Sequence, residues 1–409
     1  SAMPTRPRAF KRHPMIDTHT AGHNAKNHGR CETLSVAQAR RLALSAGAGF
    51  HRPPGRGPLA VAELVDRIGY VQIDTISVVE RAHHHILAAR LPGYRNTWLD
   101  DAPVFEYWAH AAAYLPWRDF RFTLPRKERI KANGHDWFDA EQSEARRVLE
   151  RIREEGPLMA RHFEAATRTA GWWDWKPAKR ALEFLFMSGE LMVVRRGFQK
   201  VFDLTERVLP PGTDTRSPTP HEQAAWYVDR ALDAWGIVAG DEFAYQRKEH
   251  TGGIGAVLRE RQEDRSIVRV AVEGLPNVTY WVRAADLERI DATKATDRTL
   301  RILSPFDPFL IHRKRTKRLF GFDFAIECYL PAAKRSFGYF ALPLFQGSRF
   351  VGLLDAKADR QAGTLEIRNL RHDGPPAKCA AFNRYLNAAL IKFAAFNGVA
   401  APAPALPEF

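Results

Sequence analysis

A repeated order of segments (helix, helix, helix, hairpin) constrains this chain more than any single motif. The clearest instance spans residues 142–206. Ala145–Ile152 places Val148, Leu149 and Ile152 on one side of a helix. Gly156-Pro157-Leu158 breaks that helix, and a second short helix is predicted from about Met159. Pro177 sits where a helix start accepts it, Ala181, Leu182, Leu185 and Phe186 form an apolar stripe, and Gly189 ends the run. Leu191–Leu204 then reads as a hairpin turning near Gly197. This order is that of a winged helix, whose third helix usually reads a DNA groove.

The same order recurs over 221–290. Ala224–Leu232 is helical, Gly252-Gly253 breaks the chain, Val257–Arg261 is helical again, and strands are predicted at Ile267–Val272 and Val278–Val282. The stretch 33–90 reads as a third copy, with Ser35 capping a Val36–Leu44 helix and Leu59–Ile68 as its partner. Towards the end, alternation at Phe337–Leu342 and Phe350–Asp355 predicts an antiparallel sheet, followed by an amphipathic helix over Ala380–Phe396. The expected fold class is therefore α+β, with tandem winged helix-turn-helix motifs, a C-terminal antiparallel β region and a terminal helix. The expected boundaries are a disordered basic tail at 1–32, winged-helix units at 33–140, 141–212 and 213–295, a β-rich region with its helix at 296–400, and a tail at 401–409.

Charge narrows the partner. The 409 residues carry 61 Lys+Arg against 47 Asp+Glu, a formal charge of +14. That excess favours a polyanion, most simply nucleic acid, over a merely basic enzyme. Cys31, Cys328 and Cys379 are far apart with no CxxC pair, so neither a disulfide framework nor a structural zinc site is expected. No apolar run reaches the ~18 residues of a membrane span, and no signal-peptide core is visible. With no dimerisation helix evident, a monomer in a bacterial cytoplasm is expected, nucleoid-associated when bound to DNA. High alanine and arginine content agrees with a GC-rich bacterial genome.

The chemistry concentrates in Gly69–His85. Polar groups alternate there with β-branched residues, which predicts a short strand with Gln72 and Asp74 on one face. An amide beside a carboxylate can orient a water and stabilise a developing cation. The competing reading is a strand-end carboxylate that caps the next turn. Arg81 and the triplet His83-His84-His85 follow closely; in an extended run only His83 and His85 share a face, too few for zinc. They are read as phosphate contacts or satisfied core histidines. Further on, Ser304–Pro308 forms a rigid turn, and Arg313–Arg318 is either a solvated face or a phosphate patch. Asp355-Ala356-Lys357 matches the tail of a metal-dependent nuclease motif, without a partner acid upstream.

On these residues the chain resembles the winged-helix DNA glycosylases of the YcaQ/AlkX type, relatives of AlkZ. The matching stretches are Leu64–Tyr94, Leu303–Pro308, Glu327–Tyr339 and Phe350–Arg360. The resemblance implies tandem winged helices around a basic channel, excision of N7-alkylated purines, and unhooking of interstrand crosslinks in base excision repair. It places the catalytic pair on Gln72 and Asp74, flanking Ile73, and implies neither a metal nor an organic cofactor. Damaged double-stranded DNA is the implied partner. The candidate DNA contacts are Arg81, His83, His84, Arg195, Arg196, Arg313, Arg315, Lys334 and Arg335. A cationic N7-alkylguanine leaves as a neutral base, so no general acid is needed, and no lysine is poised for a Schiff base that would cleave the strand. Two other classes compete: a winged-helix transcriptional regulator without catalysis, and a nuclease centred on Asp355 and Lys357.

Overall fold

The computed structural model describes residues 32–50, 55–134, 141–163, 177–245, 252–290, 298–374 and 379–401, without the side chains of Arg196 and Cys379. The expected basic tail lies outside these residues, as does the proline-rich end from 402.

The described chain begins with β1 (Glu32–Leu34) and α1 (Val36–Ser45). Ser35 caps α1 reciprocally. Its hydroxyl accepts the Gln38 N–H at 3.2 Å, and the Gln38 side-chain oxygen accepts the Ser35 N–H at 2.9 Å. α2 (Pro58–Ile68) ends at Gly69, whose φ of 86° suits a glycine and turns the chain into β2 (Val71–Gln72). α3 (Ala82–Ala88) and α4 (Thr97–Asp100) precede the hairpin β3 (Val104–Trp108) and β4 (Ala112–Pro116), which leads to α5 (Leu124–Asn133).

α6 (Gln142–Glu155) buries Val148 and Ile152, as their spacing predicts, and α7 (Pro177–Met187) buries Ala181, Leu182, Leu185 and Phe186. Of the short helix predicted from Met159, Ala160–Phe163 form a 3-10 turn and the rest falls outside the described residues. β5 (Leu191–Arg196) and β6 (Gln199–Leu204) pair from Leu191↔Leu204 to Arg196↔Gln199, so the hairpin turns at Gly197-Phe198. Gly197 supplies the positive φ, 58°, that a two-residue turn requires.

α8 (Thr205–Val208) leads to α9 (Pro220–Trp235), β7 (Ile237–Ala239), α10 (Ile254–Glu263), β8 (Ile267–Val272), β9 (Tyr280–Arg283) and α11 (Ala284–Glu288). β10 (Leu300–Ile302), α12 (Arg313–Phe320), β11 (Ala341–Gln346), β12 (Arg349–Asp359), β13 (Thr364–His372) and α13 (Cys379–Phe396) complete the order.

The architecture is mixed α+β. Its described sheets run β1-β8-β9-β7, β10-β11-β12-β13, β2-β4-β3 and β5-β6. Every neighbouring pair is antiparallel except β1 with β8, which is parallel. Through that parallel pair the start of the described chain joins the 220–290 stretch. Leu34, Leu42 and Leu44 share one core with Tyr227, Val228, Val270 and Val282. A second core lies under β3, β4, α6, α7 and the β5-β6 hairpin, and a third lies between the C-terminal sheet and α13.

Two predicted elements differ. Phe337–Leu342 is not a strand throughout; β11 starts at Ala341, because Glu327 holds the backbone N–H groups of Ser336, Phe337 and Gly338 and takes them out of any ladder. The histidine triplet is not extended but forms the first turn of α3, which separates His83 and His85 onto different surroundings.

The 304–311 turn is a structural hub. Asp307 is fully buried and accepts both guanidinium nitrogens of Arg90, at 2.7 and 2.8 Å. Arg90 also donates to the carbonyls of Ala48 and Ile86. A buried, bidentate pair costs roughly 3–5 kcal/mol when one partner is removed, because a charge is left in the core. Asp307→Ala should therefore lower stability by about 3–5 kcal/mol in urea denaturation. Replacing both, Arg90→Met with Asp307→Leu, should cost less than the sum of the single changes.

Candidate active site

Gln72 is the last residue of β2, paired with Ala113 of β4. The backbone contact continues one step further: the Ile73 N–H donates to the Ala112 carbonyl at 2.8 Å. Asp74 therefore lies just past the strand, and the one-face alternation predicted for the pair is replaced by a strand end. Val71, Gln72 and Ile73 are buried, Asp74 is half-buried and Thr75 is exposed. Oδ1 of Asp74 accepts the Ile76 N–H at 2.7 Å, the turn-capping geometry of an Asx residue. Burial raises the Asp74 carboxyl above its ordinary value, while the N–H groups of Ile76 and Thr75 pull the other way. The Gln72 side chain is 7% exposed, and its Oε1 accepts no hydrogen bond from a described protein group.

Separate elements hold the segment after Asp74. The Ala358 N–H of β12 donates to the Val78 carbonyl at 2.9 Å, and Arg360 at the end of β12 donates to the Ser77 carbonyl. The Glu80 N–H donates to Asn397, one residue beyond α13, at 2.6 Å. Phe198, at the tip of the β5-β6 hairpin, lies under the Arg81 guanidinium at 4.0 Å and stacks on His83 at 6.1 Å. None of Phe198, Arg360 and Asn397 stands out in the sequence as a site residue. An aromatic at a hairpin turn was the one available signal, since a turn position normally favours small polar residues.

The structure sorts the candidate DNA contacts by what already occupies them. Arg195 forms a bidentate pair with the buried Glu106, at 2.6 and 3.0 Å, and joins β5 to β3. Arg315 is almost wholly enclosed and donates to the carbonyls of Ile237 and Trp235, with Glu242 at 3.5 Å. Arg313 donates to the carbonyls of Leu310 and Pro305 and lies over Phe324. Burial holds His83 well below its ordinary value and His84 near 4, and brings His85 down to about 4, so all three are neutral at pH 7. His84 shares a hydrogen bond with the Tyr94 hydroxyl at 2.7 Å, and His85 meets the Ile302 carbonyl at 2.9 Å. Lys334 is exposed, and Arg335 is half-buried over Tyr339. The Arg196 side chain lies outside the described residues.

Arg195 and Arg315 are held in ion pairs, Arg313 is held by backbone carbonyls, and His83 and His84 are neutral, so none of the five is a free cation for phosphate, as the sequence suggested. Asp355, read as a nuclease candidate, accepts the Tyr339 and Phe340 N–H groups and is buried. Among the described residues no three His, Cys, Asp or Glu side chains cluster as a metal site would. No helix among them is long and apolar enough to cross a membrane.

A family model described as "DNA glycosylase AlkZ-like" matches residues 65–396. Among solved structures, the Streptomyces sahachiroi DNA glycosylase AlkZ is similar with a TM-score of 0.57 and 17% identity, covering 90% of this chain and 98% of that one. At that identity the likeness carries the fold.

The two kinds of cation separate experimentally. Arg195→Gln should lower stability by several kcal/mol, since Glu106 is left buried and unpaired, with little change in the salt dependence of DNA binding. Lys334→Gln should leave stability within ~0.5 kcal/mol and reduce the salt slope of binding by about 1.

Proposed function

The chain belongs to the DNA glycosylase AlkZ-like family, and we propose that it hydrolyses the N-glycosidic bond of cationic N7-alkylated purines in duplex DNA, interstrand crosslinks included, without cleaving the strand. The carrying observation is the pair at the end of β2. A buried Gln72 amide oxygen, unengaged by any described protein group, lies two residues from a half-buried carboxylate whose proton affinity is raised.

A buried acceptor without a partner is costly and is normally satisfied by water or substrate. In this reading Gln72 Oε1 accepts a hydrogen bond from the attacking water. Asp74 stabilises positive charge on the sugar as the C1′–N9 bond breaks and its electron pair passes to the purine, which departs neutral. Water oxygen then bonds to C1′, and Asp74 accepts the proton released. A carboxylate with a raised pKa is a better base for that step than an ordinary one. Because the alkylated base carries its own positive charge, the site needs no acid to protonate the leaving group. A guanine tethered across the duplex cannot swing out freely, so Gln72 and Asp74 approach C1′ from a groove with the lesion still largely stacked.

The elements around this pair support DNA binding in tandem winged-helix form. α6, α7 and the β5-β6 hairpin make one unit within 141–212, and α9, α10, β8 and β9 make another within 213–295, joined by α1 and β1 from the 33–140 stretch. In this reading the units line a basic channel, and the 296–400 region meets the 33–140 stretch where the Ala358 N–H donates to the Val78 carbonyl. Arg81, Lys334 and Arg335 are the phosphate contacts this arrangement favours.

Base release from a duplex carrying N7-methylguanine, measured under single turnover with EDTA present, tests the reading. Asp74→Asn should lose at least about 10²-fold in rate while binding the same duplex. No release by the wild type would overturn it. For wild type, kcat/KM should fall as the solution is acidified, since protonating Asp74 removes both its charge and its basicity. The apparent pKa of that limb should lie above the 3.8 of an ordinary aspartate. An acid limb absent from wild type would remove Asp74 from the chemistry.

A further inference from the structure

Five large apolar side chains are conspicuously exposed among the described residues: Leu59, Val194, Tyr329, Leu330 and Ile391. Only Tyr329 and Leu330 are sequence neighbours, at 73% and 40% exposure. They stand on the loop between α12 and β11, and that loop is not loose. The Glu327 carboxylate accepts the N–H groups of Ser336, Phe337 and Gly338 at 2.9, 2.9 and 3.1 Å, and the Ser336 hydroxyl as well. These bonds bring the Glu327 carboxyl down to about 2. The Leu330 N–H donates to the Glu327 carbonyl at 2.9 Å, and Arg335 Nε donates to the Leu330 carbonyl at 3.0 Å. A fixed loop thus presents an aromatic and an aliphatic side chain to solvent, where neither gains from burial.

The loop lies beside the candidate active site. Cys328, next to Tyr329, packs against the same core as Ile76 and Val78, two and four residues past Asp74. The negative charge of Asp74 adds to burial in raising both the Cys328 thiol and the Tyr329 phenol. Two cations follow within six residues: Lys334 is exposed, and Arg335, which donates to the Leu330 carbonyl, lies 4.8 Å over the Tyr339 ring. Apolar tips next to a sugar-facing carboxylate, with cations within a few residues, match what a strained base step requires. Apolar side chains enter opened steps from the minor groove, aromatic rings replace the lost base stacking, and nearby cations take the phosphates.

We propose that Tyr329 and Leu330 form a wedge that enters the DNA stack beside the damaged nucleotide, Tyr329 stacking on the neighbouring base, with Lys334 and Arg335 on the adjoining phosphates. The wedge opens the step enough to expose C1′ to Asp74 without extruding the damaged base. The inference rests on the reading of Asp74 as the group that faces the sugar, and the test separates the two.

The probe is a duplex with one N7-methylguanine and 2-aminopurine in the opposite strand at the step the wedge opens, where it loses stacking and does not meet the Tyr329 ring, bound to the full chain. Wild type and Asp74→Asn should both raise 2-aminopurine fluorescence on binding, since the wedge does not depend on the carboxylate. Tyr329→Ala and the double variant with Leu330→Ala should lose that rise and slow single-turnover release on the order of 10- to 100-fold. Tyr329→Phe, which keeps the ring, should retain both. Because the two side chains are exposed, thermal midpoints should match wild type, which excludes misfolding as the cause. Full fluorescence and full rate in the double variant would overturn the wedge and leave the catalytic reading standing. Unchanged release by Asp74→Asn would overturn the catalytic reading, while the loss of fluorescence in the Tyr329 variants would still stand for the wedge.

Discussion

The Arg90–Asp307 pair holds the molecule's parts in register. Arg90 follows α3 directly, Asp307 sits in the turn after β10, and the same guanidinium reaches the Ala48 carbonyl beyond α1. Three segments remote in sequence therefore converge on one planar cation. Its charge is fully desolvated, so the alternatives to this geometry are steeply unfavourable. The Phe50 ring lies 4.5 Å from the same guanidinium and packs on Phe309 and Phe345, which extends the hub into the C-terminal sheet. The first turn of α3 carries the histidines, and the segment leading into it carries Gln72 and Asp74. Fixing the end of α3 fixes the frame in which the candidate active site sits.

Much of this was legible in residues, and the gaps have physical reasons. The helices at 145–152 and 177–187 follow from apolar spacing and bury what that spacing predicts, and Gly197 marks the hairpin because a two-residue turn needs its positive φ. The Ser35 cap is equally local. By contrast, the parallel pairing of β1 with β8 joins residues more than two hundred positions apart, and nothing in a three-residue strand announces its partner. The alternation before the histidine triplet predicts that it too is extended. Chain direction changes after Glu80, where Asn397 and Val78 contacts decide the path, and the run becomes helical. At Phe337–Gly338 an apolar alternation was outvoted by one carboxylate that captures three consecutive N–H groups.

Charge was the least transparent level. Arginine count indicates a polyanion, but it does not say which arginines meet it. Arg195 and Arg315 pair with Glu106 and Glu242 in the interior, and Arg313 is spent on backbone carbonyls. Glu106 and Glu242 both lie far in the chain from the arginines they neutralise, so these two pairings are properties of the fold. The net surplus of cations then resides with side chains that have no such partner assigned by packing. This is why an exposed lysine such as Lys334 is a better candidate for phosphate than the denser run at 313–318.

The two readings of Asp74, turn cap and reactive carboxylate, do not exclude each other. An ionised carboxylate offers about four lone-pair directions, and the Ile76 and Thr75 N–H groups use only part of them. Those two bonds fix the rotamer, so the carboxylate is oriented before any substrate arrives and little reorganisation is left for the transition state. They also stabilise the charged form against the burial that raises its pKa, and the net effect leaves the group more basic than a solvated aspartate. A residue that only capped the turn would gain nothing from that burial. The same two N–H bonds on a fully exposed Asp would orient it equally well, but water would screen its charge and compete for its oxygens. In the proposed reaction, half-burial two residues from a Gln72 oxygen that no described protein group engages is what distinguishes Asp74 from an ordinary Asx cap.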